Sequence, residues 1–122
     1  MPLNPDARNK GKILLVATLD TKGDEVAFLK KQLDARGRSV CVMDVGTAGS
    51  PKFPGDVTRE SVSSRTKIPI DVDGPAEALN AMASGATAIV EDLFKAGEIS
   101  AIAGVGGGKG AGVFHQITCD LP

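Results

Sequence analysis

Ile13-Leu14-Leu15-Val16-Ala17-Thr18-Leu19-Asp20-Thr21-Lys22-Gly23-Asp24-Glu25 is the stretch that decides the fold. Its first half is an aliphatic run with no polar alternation, the pattern of a strand buried on both faces of a parallel sheet. At Asp20 the chain passes from strand to turn and then to helix. Thr18, Asp20, Thr21 and Lys22 therefore fall at the carboxyl end of a strand, where open α/β sheets bind ligands. The helix that follows aims free backbone N–H groups at the same place. Asp20 or Thr21 suits an N-cap, and Asp24 and Glu25 suit a first turn. Lys22 does not, because it adds a cation where the helix dipole is already positive. A bound anion would relieve it; the alternative is a lysine that projects into water.

Outward from this stretch, residues 1–11 hold two prolines, two asparagines and scattered charge, and read as a mobile lead-in. Strand 1 takes about 12–19. Val26, Ala27, Leu29 and Leu33 then fall near helical spacing, and Gly37 ends that helix at the usual C′ place. Strand 2 is Ser39–Val45, so strand, helix and strand make a βαβ unit with a right-handed crossover. Asp44 closes the second strand, where dinucleotide-binding folds carry the acid that takes ribose hydroxyls. An ordinary turn-forming aspartate explains it equally well.

Residues 46–74 form a long connection with one plausible helical turn, at Thr58–Ser64. Such connections are usually binding loops, lids or solvated insertions, and this one leaves the sheet at the edge that carries Asp44. From Pro75 the pattern is helical as far as Lys95-Ala96-Gly97, with Gly85 a candidate break. Strand 3 is Ala101–Val105. Gly106-Gly107-Gly108-Lys109-Gly110-Ala111-Gly112 follows it, ahead of a further helical stretch that contains His115. This run meets a relaxed dinucleotide fingerprint but not a Walker A loop, lacking the earlier glycine and the Ser or Thr after Lys109. Its glycines allow a nest of backbone N–H groups, which is anion-binding geometry. With strand 3 on the far side of strand 1, the parallel sheet has order 2-1-3. Asp20–Lys22 and Gly106–Gly110 then face one another across the topological switch point.

The expected fold is thus α/β, a Rossmann-like three-layer arrangement over residues 12–122. The chain has 122 residues and a net charge of −1, room for one core and no basic stripe for nucleic acid. No run approaches the length of a membrane span, and no apolar leader opens the chain, so a cytoplasmic protein is expected. Its two cysteines, Cys41 and Cys119, and its single histidine have no metal-ligand spacing, so no metal site is assigned.

Ala17–Glu25, then Asp44-Val45-Gly46, then Gly104–Gly110 together resemble the ATP-binding-domain family typified by the tomato mosaic virus resistance protein. That resemblance covers about residues 12–122 and implies that the chain corresponds to the first part of a longer protein, an incomplete Rossmann-like nucleotide-binding subdomain. It implies ATP binding, with or without Mg²⁺, with Thr18, Asp20, Thr21, Lys22 and the glycine loop carried over. Gly108 and Ala111 stand where relatives tend to have hydroxyls, and Lys109 replaces a glycine-like position.

The leading functional expectation is a nucleotide-binding module. Its cofactor-binding residues are Thr18, Asp20, Thr21, Lys22, Asp44, Gly106, Gly107, Gly108, Lys109 and Gly110. Two rivals are an enzyme acting on phosphorylated or acyl-phosphate substrates and a regulatory or structural fragment with no ligand. Nicotinamide binding is a third, resting on Asp44 and the fingerprint. Strand 3 at a sheet edge is also a template for homo-oligomers.

Overall fold

A computed structural model describes residues 11–66, 75–106, 114, 115, 117 and 118. Three strands, β1 (Lys12–Ala17), β2 (Val40–Asp44) and β3 (Ile99–Val105), form one sheet in the order β2-β1-β3. Both pairings are parallel, Ile13 lying opposite Val40 and Ala17 opposite both Asp44 and Val105. Three helices connect them: α1 (Leu19–Ala35), α2 (Arg59–Ser64) and α3 (Pro75–Lys95).

Central β1 feeds both faces of the sheet, which is why its sequence does not alternate with polar residues. Leu14 and Val16 join Met43, Val45, Val62, Met82, Ala86 and Val90 in the core under α2 and α3. Leu15 and Ala17 join Leu19, Val26 and Val42 in the core under α1. Helix, sheet and helix make the expected three layers. After β3 the chain returns to the α3 side, where Ile117 is fully buried and Phe114 packs against the same core. Phe114 also lies against Gly104, at a distance no β-carbon there would tolerate. The outer edge of β3 pairs with no described strand.

The junction of β1 and α1 differs from that expected, because a tertiary contact outweighs a local preference. β1 stops at Ala17, and Leu19 already belongs to α1 with Thr18 as N-cap, not Asp20 or Thr21. The Thr18 side chain makes no capping bond; the Leu19 N–H instead donates to Asp44 Oδ1 at 3.2 Å, 25 residues away. The helix is kinked at Lys22 (φ −121°, ψ 19°), so a first turn stands apart from the body that begins at Gly23. Both long helices end as their sequences predict, on Gly37 and Gly97 with positive φ.

The connection after β2 is anchored. Asp44 N–H donates to Val57 O at 2.9 Å and Val57 N–H to Val42 O at 3.0 Å, a single parallel bridge outside β2. Thr58 then caps α2 by accepting from the Ser61 N–H at 3.2 Å, and Val62 is driven into the core.

Gly85 does not break α3, which runs unbroken through it. It sits where α3 meets the end of α2: an added β-carbon would collide with Val62 O and lie 3.3 Å from Thr66 N. Alanine favours a helix over glycine by about 1 kcal/mol. At this contact the methyl must push two backbones apart, and overpacking costs about 1–3 kcal/mol. Gly85→Ala is therefore expected to lower stability, read as a lower urea midpoint; an unchanged or raised midpoint would refute the contact.

Candidate functional site

The carboxyl edge of the sheet gathers four charged side chains from three elements: Asp44 from β2, Asp20 and Lys22 from α1, and Arg59 from α2. Asp44 ends β2 and is 2% exposed. Its Oδ1 accepts from Leu19 N–H at 3.2 Å and Gly46 N–H at 2.8 Å. Its Oδ2 accepts from Arg59 Nε–H at 3.0 Å. Burying a carboxylate is tolerable only with such partners, and here they come from α1, the loop after β2 and the first turn of α2.

Asp20, in the first turn of α1, does a second piece of bracing. Its Oδ2 accepts from Ala48 N–H at 3.1 Å and Gly49 N–H at 3.0 Å. Arg59 grips the same segment from the other side, Nη1 donating to Gly49 O at 2.6 Å. Lys52 N–H donates to Leu19 O at 3.1 Å, so residues 47–52 lie as a strap across the start of α1. The lid-like segment expected from sequence does reach the site edge, tied down at both sides.

Beside the strap is a cavity of about 300 Å³ lined by Gly46, Thr47, Arg59, Glu60, Ser63, Ala78 and Met82. Two polar atoms, Asp20 Oδ1 and Arg59 Nη2, are buried next to Gly46 with no hydrogen-bond partner among the described residues.

On the other side of Asp20 the turn faces β3. The Thr18 and Thr21 hydroxyls bond each other at 2.6 Å. Thr21 and Lys22 N–H both donate to Thr18 O, and Leu19 N–H is taken by Asp44. Asp20 N–H is left as the first-turn amide with no acceptor among the described residues. The ammonium of Lys22 makes no ion pair among them either. Register pairs Ala17 with Val105, so Thr18 and Gly106 leave adjacent strands at the same edge. Gly107, Gly108, Lys109 and Gly110 lie outside the described residues.

Sequence reasoning singled out Asp44 but missed Arg59, and the signal was available. Arg59 follows the Thr58 cap directly, so it too places a cation in a helix's first turn, the same anomaly that marks Lys22. Of the remaining reactive groups, His115 is exposed on the α3 side of the sheet. Cys41 is half-buried in β2; burial pushes its thiol above its ordinary value, and the Asp56 carboxylate adds to this. Among the described residues no three His, Cys, Asp or Glu side chains gather to hold a metal ion. No described helix is long and apolar enough to cross a membrane.

Replacing Asp44 by Asn turns one acceptor oxygen into a donor facing N–H groups and strips the charge opposite Arg59. Loss of about 3 kcal/mol is expected in chemical denaturation. Asp20→Asn keeps an oxygen for the strap amides and is expected to lose less than about 1 kcal/mol. Equal losses for the two would mean that Asp44 does not organise this edge.

Comparison with known proteins places the chain. The family model described as "Uncharacterised protein family (UPF0261) N-terminal domain" matches residues 11–122. A UPF0261 protein of Brucella suis is 30% identical over 118 residues, 93% of this chain and 28% of that protein. One from Clostridium tetani is 33% identical over 106 residues, covering 84% and 26% of the two chains. One from Mesorhizobium japonicum is 32% identical over 112 residues, covering 91% and 28%. The chain thus spans little more than a quarter of the length of these relatives. This corrects the resemblance drawn from Ala17–Glu25 and the glycine run: the matching family is UPF0261 and not the one typified by the tomato mosaic virus resistance protein. Short motifs at a strand end and in a glycine-rich loop are shared by many Rossmann-like folds, whereas the match over residues 11–122 draws on the whole domain. The chain belongs to the UPF0261 family, as its N-terminal domain.

Proposed function

We propose that this domain binds a phosphorylated small molecule of the nucleotide class, ATP being the first to test. The phosphates would lie between the Thr18–Lys22 turn and the loop that opens at Gly106. The observation that carries the reading is the pairing of Ala17 with Val105, which sets the two exits side by side at the switch point of the sheet. A Lys22 ammonium with no ion pair among the described residues, and an Asp20 N–H with no acceptor among them, supply attraction for phosphate oxygens. Thr18 and Thr21 add hydroxyls in the same turn.

Asp44 takes no part in this as a ligand group, because both its oxygens are engaged within the protein. A ribose-binding role for Asp44, and with it the nicotinamide alternative, would require breaking its bond to Arg59. One rival has a specific observation in its favour. Asp20 and Asp44 both brace the backbone, which is what a purely structural or regulatory domain would also need.

Calorimetric titration with ATP, ADP and NAD separates these readings. ATP and ADP are expected to bind, with NAD weaker. Lys22→Ala and Lys109→Ala are each expected to weaken ATP by about tenfold, the worth of one charge-assisted hydrogen bond. Binding unaffected by either substitution would remove the crevice from consideration, and absence of binding to all three would favour the structural reading.

A further inference from the structure

We infer that the outer edge of β3 is the seat of a fourth, parallel strand, the first one supplied by the polypeptide that follows residue 122 in full-length UPF0261 proteins. The inference rests on strand order, connection and composition, and on nothing in the phosphate reading.

Handedness fixes the place. β1 passes to β2 through α1 on one face of the sheet, and β2 passes to β3 through α3 on the other face and in the opposite direction. Reversing both face and direction preserves the hand, so the two crossovers turn alike, as parallel connections do in nearly all folds. After β3 the chain goes to the α3 face again. Phe114, His115, Ile117 and Thr118 are helical, and Phe114 and Ile117 pack in the core under α3. A third crossover of the same hand on that face must travel the way that β2 to β3 did. It comes down outside β3 and parallel to it.

The composition of β3 suits an interior strand. Ile99-Ser100-Ala101-Ile102-Ala103-Gly104-Val105 contains no charge and no proline, the residues that guard a true edge. Ala103 and Val105 pack under α1 while Ile99 and Ile102 pack under α3, so β3 is apolar on both faces. Its one polar side chain, Ser100, donates back to Gly11 O at 3.2 Å. The opposite edge of the sheet is guarded instead. Val42 N–H donates to Asp56 Oδ2 at 2.8 Å, and Val57 bonds both Val42 O and Asp44 N–H.

Register identifies the groups that face outward. Lys12 N–H donates to Glu98 O on the β3 side and Ile13 N–H to Ser39 O on the β2 side, so Lys12, Leu14 and Val16 are the residues of β1 that bond β3. In a parallel ladder each bonds the neighbours of the residue opposite it. Ala101, Ala103 and Val105 therefore turn to β1, and Ile102 and Gly104, opposite Leu14 and Val16, present their N–H and C=O groups to the outer edge. The relatives have chain enough to fill it, since the matched N-terminal domain is little more than a quarter of their length. A strand seated there ends at the carboxyl edge beside Gly106, so the remainder of the protein reaches that edge of the sheet.

Amide hydrogen exchange on a full-length UPF0261 protein with this domain at its amino end tests the assignment, read by mass spectrometry that resolves single amides. The Ile102 and Gly104 amides are expected to exchange within about tenfold of the Ala101 and Ala103 amides, which bond β1. A larger gap, the alternation of an open edge, would overturn the proposal. Protection of Ile102 and Gly104 that grows with protein concentration would assign the edge to a second copy and overturn it too. Photo-crosslinking from Ala101→benzoylphenylalanine in the same protein names the occupant. The link is expected within one chain, to the first strand after residue 122; a link to a later segment or between two chains would refute it. The exchange pattern, read on the unsubstituted protein, keeps the proposal falsifiable even if the Ala101 variant does not fold. Neither readout involves Lys22 or ATP, so this proposal and the nucleotide reading fail separately.

Discussion

The Asp44 carboxylate is the constraint on which the carboxyl edge depends. It is buried, so it must be met by hydrogen-bond donors, and its three donors belong to three different segments. The Leu19 N–H bond fixes where α1 begins and therefore where Thr18, Asp20 and Lys22 point. The Gly46 N–H bond turns the chain sharply at the end of β2. The Arg59 bond docks α2 and brings a guanidinium to a position between the strap and the cavity. A buried ion pair adds little net stability, because desolvation offsets most of the attraction. What it does confer is a definite geometry, since any displacement of these segments leaves a buried charge without a partner.

Much of this architecture was legible in the sequence. The unbroken aliphatic run of β1, the glycine stops of α1 and α3 and the βαβ spacing follow from burial and backbone geometry that act locally. The 2-1-3 order followed from the ligand-site logic of parallel sheets. What was not legible is equally physical. Whether Asp44 turns outward to a ribose or inward to Leu19 N–H depends on side-chain direction and on Arg59, which lies 15 residues away in a segment without periodicity. Gly85 read as a helix breaker because glycine weakens helices; its real role depends on the approach of Val62 and Thr66, which no local pattern records. The cap of α1 likewise came from another strand, not from the aspartate and threonine beside it.

The long connection after β2 shows how a loop can be well held without secondary structure. Its backbone groups are satisfied by the Val57 bridge on β2, by Leu19 O, and by the side chains of Asp20 and Arg59. These anchors differ in kind. The Val57 bridge is backbone to backbone, with each residue donating or accepting in a parallel pairing. Residues 48 and 49 hang on side chains, Asp20 and Arg59, the second of which is itself fixed by Asp44.

Charge bookkeeping at this edge limits what it attracts. Asp20 and Asp44 balance Lys22 and Arg59 among the described residues, so the edge is not a basic funnel and long-range steering of anions is weak. A phosphate bound here must be held by short-range contacts: the Lys22 ammonium, the Asp20 N–H and backbone amides beyond Gly106. On the β3 side of Asp20 the nearest group without an ion pair among the described residues is the Lys22 cation, so the attraction it offers acts at short range and only on a group already seated in the turn.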